Sequence, residues 1–454
     1  MYALADCNNF FVSCERVLNP SLDGKPVVVL SGNDGCVIAR SNEAKALGIP
    51  MGCPAFQVKN YTNPTAVVML SARHIVYQDL SHRIMRILAE IAIDLEVYSV
   101  DEAFFKLPYS DDRRNHELLA LMVKKIGKWV GVPVSIGFAA TRTLAKVASH
   151  IAKKDPNNTS RVLGLTQAEH IQAALAKTKI DDIWGIGRRL NAKLLSRGIR
   201  FASEFVKLPS SYVQKIGTIT LLRTHQELQG RDSVSINPVT IAHKSIMNSR
   251  TFGHVLSTKR DIADAVISFA QACASQLRRE GAAALSVTVF LRGDRFRRDL
   301  PFYSNSCTVN MPLHTSSAIE ISNHAIAAFN AIFKSGFFYR KAGVMISNIK
   351  PAGQLQLDVF NAERQARHSK LMTAIDNINK RYGSKQIMLA PTLTPGEWAP
   401  VQDHLPPQSK TLRLYTGMNP LCPPKARQPI TDAHQQEEER NHYNDSAPRN
   451  DTIL

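Results

Sequence analysis

Two adjacent carboxylates, Asp101 and Glu102, interrupt the run Glu96-Val97-Tyr98-Ser99-Val100-Asp101-Glu102-Ala103-Phe104-Phe105, which is otherwise β-branched and aromatic. That composition predicts a buried strand, and a buried acid costs free energy unless a positive group meets it. Neighbouring side chains on a flat strand point to opposite faces, so two adjacent acids serve one site only where the backbone turns. The expectation is a hairpin corner. A second apolar run, residues 1–5, ends at Asp6. If the two strands pair, Asp6, Asp101 and Glu102 converge. Three mutually repelling carboxylates at one mouth are relieved by hard divalent cations bound through oxygen, most naturally Mg²⁺. An Asp-Glu pair also marks many solvated turns, so the rest of the chain must decide between the two readings.

The elements that would position these acids surround them in sequence. After Asp6, Cys7-Asn8-Asn9-Phe10-Phe11 reads as a turn entering a helix, with two aromatics that either pack in the core or wall a flat ligand. Segments 26–30 and 36–39 read as strands around Ser31-Gly32-Asn33-Asp34-Gly35, a strong hairpin signal. Residues 41–50 read as a short helix stopped by Gly48 and Pro50; Lys45 on it is either a surface charge or a phosphate contact. Residues 76–93 carry helical periodicity, and 132–138 reads as a strand. Over 141–154, Leu144, Val147, Ala148 and Ile151 form one apolar stripe, while Lys146, His150 and Lys153 stack along another face. Such a basic edge is either solvated or suited to a row of phosphates.

Trp184-Gly185-Ile186-Gly187-Arg188-Arg189 is a glycine turn opening a basic helix. Its backbone N–H groups at Gly185 and Gly187 can approach a phosphate oxygen, assisted by Arg188 and Arg189. The pattern reads either as a helix-hairpin-helix turn contacting a DNA backbone or as an ordinary glycine turn between packed helices, the charges immediately after it favouring the first; residues 201–222 read as helical again, a weaker second copy. Residues 233–243 read as a linker. Beyond it, strands at 285–291 and 342–349 alternate with helices at 261–279 and 317–333. Residues 240–350 carry fourteen Lys and Arg against six Asp and Glu, with Arg292, Arg295, Arg297 and Arg298 clustered between strands. A DNA-gripping surface requires such a concentration.

The totals agree. A length of 454 residues predicts about three domains, and 44% hydrophobic content is ample for packed cores. A net charge of +18 points to a polyanion, nucleic acid first. Seven scattered cysteines without paired spacing favour reduced thiols over a disulfide framework or zinc site, and no window reads as an export signal or membrane anchor; the expected location is a cytoplasm. Past Lys350 the pattern weakens. Gln356-Leu357-Asp358-Val359-Phe360 reads as an interaction peptide, and residues 423–454 as a polar, disordered tail.

Taken together, Asp6 with Phe10-Phe11, the hairpin Asn33-Asp34-Gly35-Cys36-Val37-Ile38-Ala39-Arg40, Ser99 to Ala103, Gly137 through Lys153 and Trp184-Gly185-Ile186-Gly187 closely resemble the Y-family DNA polymerases. Within that family the chain looks like the UmuC branch, the catalytic subunit of bacterial DNA polymerase V and its plasmid-borne relatives. The likeness runs from Met1 to about Phe360. It implies an α+β, multidomain right-hand polymerase: a palm over 1–165 with small fingers inserted at about 22–75, a helical thumb with the helix-hairpin-helix over 166–235, and an α/β little finger over 240–350. A C-terminal region over 351–454 would carry a clamp-binding peptide and a poorly ordered tail. By the same resemblance, Asp6, Asp101 and Glu102 are the catalytic carboxylates holding two Mg²⁺ ions, with the Cys7 carbonyl as a further ligand. Phe11 is the steric gate against ribonucleotides, Cys36 and Ile38 lie over the nascent base pair, and Lys45 and Lys153 hold the triphosphate. Phe11 stands where the family often has tyrosine, which removes a hydroxyl and keeps the blocking ring. Asn42 and Lys45 stand where many relatives have tyrosine and arginine, and a lysine supplies a point charge in place of a fork.

The implied function is error-prone, template-directed translesion synthesis in the bacterial SOS response, by two-metal nucleotidyl transfer from a dNTP to a primer 3′-hydroxyl. Implied partners are primer-template DNA, dNTPs, the sliding clamp through Gln356, Leu357 and Phe360, a cleaved UmuD-type dimer and RecA, with no membrane. Two alternatives share parts of the pattern. A catalytically inactive DNA- and clamp-binding accessory protein would need neither the acidic triad nor the two lysines. A metal-dependent nuclease would share the acidic cluster and need neither a gate aromatic nor triphosphate lysines.

Overall fold

The computed structural model describes residues 1–61, 66–233, 243–354, 362–383, 386–389, 398–399 and 401–406. Strand β1 (Tyr2–Cys7) is the middle of a five-stranded sheet, ordered β5-β6-β1-β7-β8 with β5 (Leu95–Val97), β6 (Glu102–Lys106), β7 (Val134–Ala139) and β8 (Val162–Leu165). β1 runs antiparallel to both neighbours, with Leu4 opposite Phe104 and Gly137, and Asp6 opposite Glu102 and Ser135. The two-residue period therefore sorts the sheet into two faces. Ala3, Ala5, Cys7, Phe105 and Ile136 enter one core, packed beneath helices α1 (Phe10–Leu18), α3 (His74–Leu88) and α4 (Asp112–Val130). Tyr2, Leu4 and Phe104 enter a second core under α5 (Arg142–Lys154).

Sheet and helix approach unusually closely at Gly137. A Cβ there would lie 2.0 Å from the Ser149 nitrogen and 2.3 Å from the Ala145 carbonyl oxygen, both backbone atoms of α5. Any side chain would lift the helix, so this glycine sets the height at which α5 carries its lysines above the sheet.

A three-stranded sheet, β3-β2-β4, is formed by β2 (Val27–Leu30), β3 (Val37–Arg40) and β4 (Val68–Ser71). Val27 and Val29 face the first core. Val28 and Leu30 close a smaller one with Ala44 of α2 (Asn42–Ala46), Ile49 and Val58. The 168–228 region is helical: α6 (Ala168–Lys177), α7 (Arg188–Leu195), α8 (Ala202–Val206), α9 (Ser210–Ile216) and α10 (Ile219–Leu228), sharing the core beneath α5. Residues 201–222, read from sequence as one helical copy, resolve into α8, α9 and the start of α10. Gly217 between α9 and α10 is extended, whereas Gly185 is left-handed at φ 88°, so the two turns are not equivalent.

Beyond residues 234–242, which lie outside the described residues as most of the expected linker does, comes an antiparallel sheet ordered β11-β10-β12-β9. Its strands are β9 (Ser245–Leu256), β10 (Ala282–Arg292), β11 (Ser304–Thr315) and β12 (Tyr339–Pro351), with α11 (Lys259–Arg279) and α12 (Ala318–Ile332) on one face. Two of these strands, β9 and β11, had no counterpart in the sequence reading. Both are rich in serine, threonine and asparagine, and β11 lies at the edge of the sheet with only one neighbouring strand. Such strands lack the apolar alternation that announces a half-buried strand. A further helix, α13 (Ala362–Tyr382), occupies part of the region where the pattern had been expected to weaken.

Candidate active site

The register brings the predicted acids to one corner. Asp6 and Glu102 are cross-strand neighbours on the α5 face of the sheet. Asp101 precedes β6 in the turn from β5, and its carbonyl accepts from Cys7 N–H at 2.9 Å, tying the corner to the end of β1. Ser99 organises that turn. Its hydroxyl donates to Asp101 Oδ1 at 2.5 Å and accepts from the Asp101 and Glu102 N–H groups at 3.2 and 3.0 Å. Cys7 turns its side chain into the opposite core, where burial, reinforced by the charges of Asp6 and Asp101, pushes its thiol well above the ordinary value. The thiol stays protonated, and what Cys7 can offer a cation is backbone oxygen.

Each of two carboxylates is met by a lysine of α5. Lys153 Nζ lies 2.8 Å from Asp6 Oδ1, and Lys146 Nζ lies 2.8 and 2.7 Å from the two Glu102 oxygens. Both acids are 18% exposed, at a mouth open enough for exchange and buried enough to demand positive charge. The corner thus draws cations and presents only hard oxygen donors, the donor set that Mg²⁺ takes. Among the described residues no three acidic, histidine or cysteine side chains already surround one point. The acids are neighbours, each engaged with a lysine or with Ser99.

Lys45 of α2 reaches the same neighbourhood. Its ammonium donates to Asn9 Oδ1 at 2.5 Å, and Asn9 donates in turn to Asn42 Oδ1 at 2.9 Å. Burial, with Lys153 and Arg40 nearby, lowers the Lys45 pKa below the usual lysine value. An anion placed there relieves both effects. Asn9 has φ 48°, a left-handed turn at the start of α1, two residues before Phe11. The Phe11 ring stacks on Tyr77 with centroids 4.6 Å apart and planes at 19°. Tyr77 is fixed from below by donation to buried Glu15 at 2.6 Å, which also pairs with Arg73. Cys36 bridges to Pro54 beside the β2–β3 loop and is half-buried, and Ile38 on β3 packs partly buried against the first core.

Sequence reasoning grouped Lys146, His150 and Lys153 as one basic edge. Burial, with Lys154 adding repulsion, lowers the His150 pKa, so at neutral pH the edge carries two charges and not three. Lys146 as the partner of Glu102, Ser99 as the organiser of the turn, and Tyr77 beneath Phe11 were missed. Only Lys146 left a trace in the sequence, through its helical spacing from Lys153.

Gly185, Gly187, Arg188 and Arg189 are exposed at the turn into α7. Trp184 locks that turn to the sheet: its indole donates to the Tyr98 hydroxyl at 3.1 Å, and its ring lies 5.5 Å from Phe104. Arg292 is exposed at the end of β10, Arg295 lies over Phe302, and Arg297 pairs with Asp299 at 2.8 Å on the surface. With Lys341 opposite Arg292, and Thr288 opposite Thr308, the face of this sheet away from α11 and α12 displays hydroxyls and cations. Gln356, Leu357 and Phe360 lie outside the described residues.

The impB/mucB/samB family model matches residues 5–150, and the model of that family's C-terminal domain matches residues 243–359. A third, described only as a domain of unknown function, matches residues 369–411. The chain is 36% identical over 418 residues to "Protein UmuC" of Salmonella typhimurium, covering 90% of this chain and 98% of that one. It is 35% identical to "Protein ImpB" of the same organism, over 88% of this chain and 94% of that one. It is 28% identical to "DNA polymerase IV" of Pelotomaculum thermopropionicum, over 86% and 95%. Among solved structures it resembles a Y-family DNA polymerase chimera of Dbh and Dpo4, with TM-score 0.61 and 22% identity, covering 77% of this chain and 98% of the other.

Proposed function

The chain belongs to the impB/mucB/samB family, the UmuC-like branch of the Y-family DNA polymerases, and from that premise we propose that it performs translesion DNA synthesis at the Asp6–Asp101–Glu102 corner. The observation that carries this reading is the cross-strand pairing of Asp6 with Glu102, with Asp101 tied to the end of β1 and α5 laying Lys146 and Lys153 over them. In the reaction the primer 3′-oxygen bonds to the α-phosphorus of a dNTP while the bond to the bridging oxygen breaks and pyrophosphate leaves. Asp6, Asp101, Glu102 and the Cys7 carbonyl are the groups that would hold Mg²⁺, which when bound neutralises charge on the attacking and leaving oxygens.

The remaining roles fall to this chain's own side chains. Lys153 and Lys45 pair with triphosphate oxygens, and the desolvated Lys45 gains most from an anion. The Phe11 ring, backed by Tyr77, occupies the space a ribose 2′-hydroxyl would need. Cys36 and Ile38 cover the nascent base pair. The sheet at 1–165 acts as palm, the three-stranded sheet within 22–75 as fingers, the helices of 166–235 as thumb and the 240–350 sheet as little finger. Arg188 and Arg189 at the glycine turn, and Arg292, Arg295 and Arg297 beyond it, grip DNA phosphates. Action in a bacterial cytoplasm during the SOS response, with a sliding clamp, a cleaved UmuD-type dimer and RecA, completes the proposal. No helix among the described residues is long and apolar enough to cross a membrane.

Asp101→Asn and Glu102→Gln keep shape and remove charge. Each is expected to abolish extension of a primed template past a defined lesion while the circular dichroism spectrum stays unchanged. A folded double variant that still extends refutes the site.

A further inference from the structure

Residues 398–399 and 401–406 belong to none of the units that polymerase action requires, yet they touch two of them. Trp398 is buried in the core of the β9–β12 unit, its ring 5.6 Å from Phe269 and nearly perpendicular to it. The chain then crosses β9 at Gly253, where a Cβ would come within 2.6 Å of the Val401 side chain and 3.0 Å of the Ala399 carbonyl oxygen. That strand position is glycine because another backbone lies across it.

From Val401 onward the segment is held by the β3-β2-β4 sheet. Val401 N–H donates to Asn33 Oδ1 at 3.0 Å, and the Asp403 and His404 N–H groups donate to Asp34 Oδ2 at 2.7 and 3.3 Å. Ser71, the last residue of β4, donates its N–H to the His404 carbonyl at 3.0 Å and its hydroxyl to Asp34 at 2.8 Å. Gln402 donates to the Ala72 carbonyl at 3.2 Å. Asn33 also donates to the Thr251 carbonyl of β9 at 2.7 Å, so one side chain joins loop, strap and sheet. Asn33 and Asp34 are both left-handed, at φ 58° and 48°. Two adjacent non-glycine residues in that region are uncommon, and here the turn they make aims both side chains at this segment.

We infer that residues 398–399 and 401–406 form a strap that fastens the β9–β12 unit to the β2–β3 loop and, granted the polymerase reading above, keeps the enzyme closed around primer-template DNA. In sequence the β9–β12 unit joins the rest of the chain through residues 234–242, after α10. The strap, together with the direct Asn33–Thr251 hydrogen bond, gives it a second, non-covalent attachment on a different sheet. An arm held at one end swings freely, whereas an arm held at both ends closes a loop, and duplex lying between the two attachments cannot leave until one opens. The attachment on the fingers side consists of hydrogen bonds, each of modest net strength, so it can open and close without unfolding either sheet. This assigns a function to part of the segment matched at 369–411 by a domain of unknown function.

The strap is cut from each end in the full chain: Asp34→Ala removes its acceptor on the loop, and Trp398→Ala removes its anchor in the distant core. Amide hydrogen exchange at Ser71 and at 403–404 is expected to accelerate at least about tenfold in both variants. Dissociation of a fluorescent primer-template into a DNA trap is expected to accelerate by about tenfold or more. Single-nucleotide insertion from the preformed complex should stay within about twofold of wild type, since neither residue lies in the catalytic corner. Unchanged exchange in Asp34→Ala overturns the strap, and accelerated exchange with unchanged dissociation overturns its role in retaining DNA. A wild-type chain that extends no primer with a cleaved UmuD-type dimer and RecA present overturns the polymerase reading, while exchange and dissociation still decide the strap.

Discussion

Replacing Gly137 by alanine adds one methyl group at the point where β7 touches α5. The new carbon would sit 2.0 Å from Ser149 N, 2.3 Å from Ala145 O and 2.6 Å from Ala148 C. All three are helix backbone atoms, so no side-chain rotation relieves the clash, and α5 must rise by roughly 1 Å or more to reach ordinary contact distance. Overpacking of this kind costs about 3 kcal/mol, toward the upper end of its usual range because rigid backbone meets rigid backbone. The same rise carries Lys146 and Lys153 away from Glu102 and Asp6, whose contacts are now 2.7 to 2.8 Å. A displacement of about 1 Å at a reacting centre lowers turnover on the order of 100-fold. Urea unfolding and steady-state primer extension measure the two effects separately. Gly127→Ala serves as control: that glycine lies within α4 with nothing near its missing Cβ, so alanine there should stabilise by about 0.5 to 1 kcal/mol and leave extension unchanged. If Gly137→Ala unfolds at the wild-type urea concentration and extends primers normally, the account of α5 as the element that positions the lysines is wrong.

Three other substitutions probe separate parts of the site. Lys146→Met leaves Glu102 without its partner and should lower kcat on the order of tenfold with little change in dNTP KM, while Lys146→Arg recovers most of the loss; equal loss in both variants would point to packing as the role of Lys146. Phe11→Ala should reduce the preference for dNTPs over ribonucleotides by about 100-fold in single-nucleotide insertion, and unchanged sugar discrimination counts against the gate. Replacing Leu357 and Phe360 together by alanine should remove stimulation by the sliding clamp without altering clamp-free extension; if stimulation persists, the docking peptide lies elsewhere.

The sequence by itself determined the parts whose signal is local. The apolar runs ending at Asp6 and broken at Asp101-Glu102 specify two strands with acids at their ends, and the hydrophobic stripe of 141–154 specifies a helix with lysines on a separate face. The glycine turn before Arg188 is equally plain, because only a residue without Cβ is at ease at the φ of 88° that Gly185 adopts. Tertiary structure decided what no spacing encodes. That Asp6 opposes Glu102 is a matter of register, and the closeness of α5 is a matter of Gly137 meeting helix backbone. That Lys153 meets Asp6 and Lys146 meets Glu102 depends on both, since the partners lie 147 and 44 residues apart. The polar strands β9 and β11 and the strap escaped sequence reading for one reason: hydrogen bonds and a few irregularly spaced anchoring side chains, such as Ile246, Phe252 and Leu256 on β9, hold them, and these leave no periodic pattern in the chain.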